Sequence, residues 1–168
     1  MLRLPIAHGE GNYHAPPDLL AQLQDEERVV FPYCDPDGTV TAEANPNSLT
    51  AETAREWREI GVNRLSLGVQ SFDDRALAWL GRLHDGRQAR EAVERARDAG
   101  FDELSLDLIF GLPDGVSRCW RSDLQQAVGM GVSHLSIYGL TAEPGTPLGR
   151  EVARGQVSLS DADVSNFN

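Results

Sequence analysis

Cysteine is nearly missing from this sequence, with only Cys34 and Cys119 among 168 residues. Two thiols cannot build a disulfide framework or a four-ligand metal site. Positive charge is also scarce, since 15 Lys and Arg against 26 Asp and Glu leave a net charge of −11. With no basic cluster to meet a phosphate backbone, nucleic-acid binding is disfavoured. No apolar run reaches the roughly 18 residues that a membrane span needs. The first residues, MLRLPIAHGEG, lack the apolar core of a secretory signal, so the expected compartment is the cytoplasm. What remains, 40% hydrophobic and 24% charged, is the composition of a globular protein. The length suits one ordinary domain and is too short for two full ones.

From about residue 39 onward, short apolar runs alternate with amphipathic stretches. TVTAEA, RLSLGV, LSLDLI and HLSIYG predict strands near residues 39–43, 64–69, 104–109 and 134–138. TAETAREWREIG, DDRALAWLGRL, GRQAREAVERARDAG and SRCWRSDLQQAVGMG predict helices between them. Ala92, Val93, Ala96 and Ala99 form one apolar stripe, Gly100 stands where a helix should stop, and Asp73 is placed to cap a helix. Repeated strand–helix–strand units predict a mainly parallel sheet of four or five strands with helices on one side. This is half a barrel or most of a small doubly wound sheet. The first 38 residues read differently: a helix in PPDLLAQLQDE, a strand in ERVVFPYCD, and an Asp-Gly turn making VVFPYCDPDGTVTAEA a hairpin.

Parallel α/β sheets bind ligands at the carboxyl ends of their strands. Polar residues fall there: Glu43 before Asn-Pro, Gln70 in GVQSF, Asp107 in LDLIFGLP, Tyr138 in IYGLT. Asp107 lies inside an apolar run and needs a partner or a ligand. Arg82 is expected at a helix C-terminus, where the dipole favours a cation. His84 and His134 stand alone and are expected to be structural or on the surface. Cys119, beside Trp120, is expected to be an inert buried thiol.

The stretches EANP, GVNRLSLGVQSFDDRALAWLGRLH, AGFDELSLDLIFGLP and HLSIYGLTAEPGTPL, in that order, resemble the oxygen-independent coproporphyrinogen III oxidase family of radical S-adenosylmethionine (SAM) proteins. LTAEPGTPL and GLP…W..DL resemble in particular its haem chaperone (HemW) branch. The resemblance spans about residues 41–163 and implies a partial (βα) radical SAM barrel serving haem metabolism. It implies that Glu43 holds the methionine ammonium of SAM and that Gln70 and Arg82 reach its carboxylate and ribose side. By the same resemblance Asp107 binds the ribose, and Ile109 and Thr141 line the adenine. The family also carries a 4Fe–4S cluster on CxxxCxxC, followed by a glycine-rich GGGTP segment. Neither motif occurs here, and several thiolates are needed to hold such a cluster. The expectation is weak SAM binding, no cluster and no catalytic residues, with haem or porphyrin as the partner of the parent family.

RLPIAHGEGNYHAPPDLLAQLQDEERVVFPYCDPDGTVTAEANPN is similar instead to the glutaminase subunit (PurQ) of phosphoribosylformylglycinamidine synthase, above all in PIAHGEGNY. The nucleophilic cysteine and the PHPE motif of that family are absent, and neither Cys34 nor His8 takes their place. EANPNS is therefore read as a seam between an amidotransferase-like remnant, residues 1–40, and a partial barrel, residues 41–168, truncated at both ends. A non-catalytic nucleoside- or haem-binding module and a purine-biosynthesis remnant are the alternative readings. Open sheet edges are expected to allow self-association.

Overall fold

Alternation along the strands decides which side chains meet the helices and which do not. In the computed structural model, which describes residues 33–34, 38–113, 115–116 and 120–159, five strands form one sheet. They are β1 (Tyr33–Cys34), β2 (Val40–Ala44), β3 (Arg64–Gln70), β4 (Glu103–Phe110) and β5 (His134–Gly139), in the order β1-β2-β3-β4-β5. β1 is antiparallel to β2, with Tyr33 opposite Thr41, and every other neighbouring pair is parallel. The expected mainly parallel α/β sheet is what forms, and its first pair has the antiparallel sense of the expected hairpin. Contacts divide the chain into Met1–Phe31 and Pro32–Asn168, and all described residues belong to the second unit. The helix expected in PPDLLAQLQDE, most of the strand expected in ERVVFPYCD, and Cys119 lie outside the described residues.

Residues in register across parallel strands point to the same side. One side carries the rows Ala42, Leu65, Leu104 and Ala44, Leu67, Leu106, Leu135. Leu65, Leu67, Leu104 and Leu106 are at most 1% exposed. Helices α1 (Ala51–Glu59), α2 (Asp74–Trp79), α3 (Gly86–Asp98) and α4 (Trp120–Gly129) bury small apolar side chains: Ala54, Ala76, Ala89, Ala92, Val93, Ala96 and Ala127. Alanine there lets α3 approach β3 and α1 closely. Arg58 stacks over the Phe101 ring, 5.3 Å from its centroid, and donates to the Val62 carbonyl, while Arg97 donates to that of Met130.

Caps start three of these helices, two after strands and the third after α2. Thr50 Oγ1 accepts from Thr53 N at 3.0 Å, and Asp73 accepts from Arg75 N and Ala76 N. Asp85 and Gln88 form a reciprocal capping box. α3 ends at Asp98, followed by Gly100 with φ +86°, where glycine is free of the Cβ penalty. A fifth helix, α5 (Pro147–Ala153), follows β5 and is capped by Thr146.

Candidate functional site

The sheet face opposite the leucine rows is polar. Its rows run Thr41, Arg64, Glu103, then Glu43, Ser66, Ser105, His134, then Asp107, Ser136, then Ile109, Tyr138. Ser66 Oγ donates to Asp107 Oδ1 at 3.1 Å, and the Ser105 and Ser136 hydroxyls lie 3.4 Å apart. Asp107 is half-buried, and its second oxygen has no hydrogen-bond partner among the described residues, while Glu43 is exposed on β2, with β3 between the two.

At the carboxyl end of β3 the backbone leaves the regular ladder. The register slips between Leu67 and Gln70, so that Gln70 sits opposite Leu108. Gln70 has φ +67°, the one positive value at a non-glycine among the described residues, and Ser71 N donates to the Val69 carbonyl at 2.8 Å. An i→i+2 bond around a residue of positive φ is a rare, strained γ-turn. Such a residue costs on the order of 1–3 kcal/mol and persists only where its surroundings hold it. Here they do. His84 Nε2 lies 3.0 Å from the Val69 oxygen and must donate to it, since a carbonyl can only accept. Beyond Gln70, Asp123 accepts from Ser71 Oγ at 2.7 Å and from Phe72 N at 2.9 Å. His84 and Asp123 are 4% and 1% exposed.

The Gln70 side chain turns back over Gly68. A Cβ at Gly68 would stand 3.1 Å from Gln70 Nε2 and 3.5 Å from Asn45 Oδ1, so glycine leaves room for both amides. Gln70 is 8% exposed, yet its amide group has no hydrogen-bond partner among the described residues. The amide is not sealed from solvent, so a ligand or a water can reach it.

Burial pushes the His84 imidazole below its ordinary value of 6.5. The bond to Val69 opposes this, Arg82 adds to it, and Asp85 opposes it. With a lower pKa in the folded state, the unfolded chain takes up the proton first as pH falls. The stability that depends on neutral His84 is therefore complete above pH 6.5 and is lost as pH drops from there through the depressed folded value. We expect the urea midpoint of the wild type to fall more steeply below pH 6.5 than that of His84→Gln, which has no such proton to bind. Parallel curves would refute the assignment.

Glu43 and Asp107 share the polar face, with Ser66 in register with the first and bonded to the second. Gln70 closes the end of β3, and Ile109, half-buried on β4, is opposite Tyr138. Thr141 is exposed in the loop after β5. Arg82 departs from expectation. α2 stops at Trp79, and Gly81 at φ +69° turns the chain, so half-buried Arg82 lies past the helix, its N–H bonded to the Leu77 carbonyl. His84 is buried and structural, and His134 is exposed. Asn45, Ser66, Ser71 and Asp123 were not singled out as site residues. Asn45, Ser71 and Asp123 lay within the quoted EANP, GVQSF and W..DL, while Ser66 carried no signal. Among the described residues no group of three or more His, Cys, Asp and Glu is placed to hold a metal ion.

The sequence model of the Radical SAM superfamily matches residues 8–119. Heme chaperone HemW of Bacillus subtilis is 40% identical over 141 residues, 83% of this chain and 37% of that protein. HemW of Escherichia coli is 42% identical over 113 residues, 67% of this chain and 30% of its own length. The mitochondrial radical S-adenosyl methionine domain-containing protein 1 of Mus musculus is 38% identical over 133 residues, covering 79% and 30%. The chain thus spans about a third of the length of the curated relatives it matches. Among solved structures, coproporphyrinogen III oxidase (HemN) of Escherichia coli superposes with a TM-score of 0.60 at 22% identity, over 87% of this chain and 32% of that one. The archaeal Elp3 of Methanocaldococcus infernus gives 0.61 at 20% identity, over 73% and 29%. At these identities the structural likeness bears on the fold alone.

Proposed function

The chain belongs to the radical SAM superfamily, and from that premise we propose that it is the SAM-side part of a HemW-like protein of haem metabolism, able to bind S-adenosylmethionine and unable to cleave it. The observation that carries this reading is Gln70, buried, held in a strained turn and with an unpaired amide. The chemistry of the neighbours fits the ligand. An ammonium wants a carboxylate, here Glu43; a carboxylate wants the Arg82 guanidinium and the Gln70 amide; ribose hydroxyls want the open oxygen of Asp107. Ile109 and Thr141 supply an apolar and a hydroxyl contact for adenine.

A 4Fe–4S cluster, where bound, supplies the electron that cleaves SAM. The 168 residues hold Cys34 and Cys119, 85 positions apart, which is not the thiolate set that such a cluster needs. Haem or porphyrin is proposed as the cargo of the whole protein because the relatives are named haem chaperones. We further propose that residues 1–40 are an amidotransferase-like remnant joined near EANPNS and that the compartment is the cytoplasm. The outer edge of β5 is proposed to support self-association. Among the described residues, no helix is long and apolar enough to cross a membrane.

Without the iron as an anchor for the methionine end, affinity should be on the order of millimolar, about −4 kcal/mol. Equilibrium dialysis against labelled S-adenosylmethionine measures it, and Asp107→Asn should weaken it about tenfold, the equivalent of one charge-assisted hydrogen bond. Anaerobic reconstitution with iron and sulfide should yield neither a stable cluster nor deoxyadenosine. Turnover of SAM would overturn the non-cleaving reading, and no saturable binding would overturn the SAM reading itself.

A further inference from the structure

We propose that His84 and Asp123 act as positioning residues, a two-sided clamp that fixes the Val69–Phe72 turn and so presents the Gln70 amide to the ligand. The bonds fall on both sides of one strained residue. Before Gln70, the Val69 oxygen takes His84 Nε2–H in addition to Ser71 N–H. After it, the Phe72 N–H and the Ser71 hydroxyl both go to Asp123, and Ser71 Oγ in turn accepts from Asp73 N at 3.1 Å. The jaws come from separate segments, His84 from the turn between α2 and α3, Asp123 from α4. Neither bonds to Gln70 itself.

A residue with positive φ and a β-carbon relaxes to an extended conformation when nothing prevents it. In an extended β3 the register would continue unbroken, and Gln70 would no longer fold back over Gly68 beside Asn45. The two buried side chains thus hold the backbone where the ligand needs it, although neither touches the ligand. His84 has a further effect. It lies two residues from Arg82, so its bond to Val69 also ties the turn bearing the guanidinium to the end of β3. One contact sets the placement of both groups that are read as meeting the ligand carboxylate.

The inference rests on the proposed SAM site, and two measurements separate its fate from that reading. Amide hydrogen exchange needs no ligand: in His84→Ala, the Ser71 and Phe72 amides should exchange at least about tenfold faster, with Leu106 in β4 unchanged. Dialysis against S-adenosylmethionine should show an affinity about tenfold lower for His84→Ala and for Asp123→Asn. His84→Gln, which keeps an N–H donor, should recover affinity to within about threefold. Val62→Ala, a buried change away from the turn, should leave affinity unaltered. Should His84→Ala fail to fold, His84→Asn, whose amide is too short to reach Val69, replaces it. Unchanged exchange at Ser71 and Phe72 overturns the clamp. So does a loss of affinity in Val62→Ala that equals the loss in His84→Ala. If the wild type binds no S-adenosylmethionine, the site reading fails and exchange alone decides the clamp.

Discussion

Asp123→Ala should unfold at a far lower urea concentration than the wild type, with a loss of about 3–5 kcal/mol. The change removes the acceptor of the Ser71 hydroxyl and of the Phe72 N–H in a place that is 1% exposed. Each orphaned buried donor costs roughly 1–3 kcal/mol, and bonds to a charged acceptor stand at the upper end. The cavity left by the carboxylate adds to this. Against a total stability of about 5–15 kcal/mol the loss is severe, and it lowers the melting temperature by roughly 10 °C or more. Asp123→Asn keeps one acceptor oxygen and should lose less than half as much. Equal losses in the two variants would show that the charged carboxylate with both its acceptor oxygens, which asparagine lacks, sets the whole requirement, and would overturn the expected partial retention.

Gly86→Ala is the second large effect, and here two lines of reasoning disagree in sign. From helix propensity alone, alanine at the first position of α3 should stabilise by up to about 1 kcal/mol. The structure reverses this. A Cβ on Gly86 would penetrate the carbonyl oxygen of Phe72 and come 3.3 Å from Asp74 Oδ1. That carboxylate already accepts from Gly86 N at 2.8 Å. Backbone cannot step aside as a flexible side chain can, so the start of α3 must lift from the end of β3, at about 3 kcal/mol or more. Gly129→Ala, at the end of α4 with nothing within 4 Å, should instead be neutral or slightly stabilising. Chemical denaturation of the two variants side by side checks the prediction. Stabilisation by Gly86→Ala would mean that the α3–β3 contact is looser than drawn.

The strands were legible because each is an apolar run bounded by turn residues. The expected run near 104–109 became Glu103–Phe110, and that near 134–138 became His134–Gly139. Gly100 and Asp73 also took their expected places at helix ends, since a C-terminal glycine and an N-terminal carboxylate act locally. Gly81 carried the same signal as Gly100, but the apolar pattern of DRALAWLGRL continues past it, and Arg82 was placed in the helix for that reason. RLSLGVQ reads as an unbroken strand, because nothing in its alternation marks the register slip at Gln70. That slip is held by His84 and Asp123, 14 and 53 positions onward. A lone histidine and a lone aspartate disclose such partners only once the chain is folded. The polar face was visible as four strand ends, while Ser66, the hydroxyl bonded to Asp107, was hidden among the serines.

The order of strands across the sheet repeats their order along the chain. During synthesis β3 leaves the ribosome after β2 and pairs with it, β4 then pairs with β3, and β5 with β4. A nascent chain folding from its N-terminal side can therefore grow this sheet at a single advancing edge, without parting strands already joined. The Val69–Phe72 turn matures late in that sequence. His84 emerges soon after β3, whereas Asp123 arrives only once β4 is complete, so the end of β3 stays secured on one side alone until α4 is made.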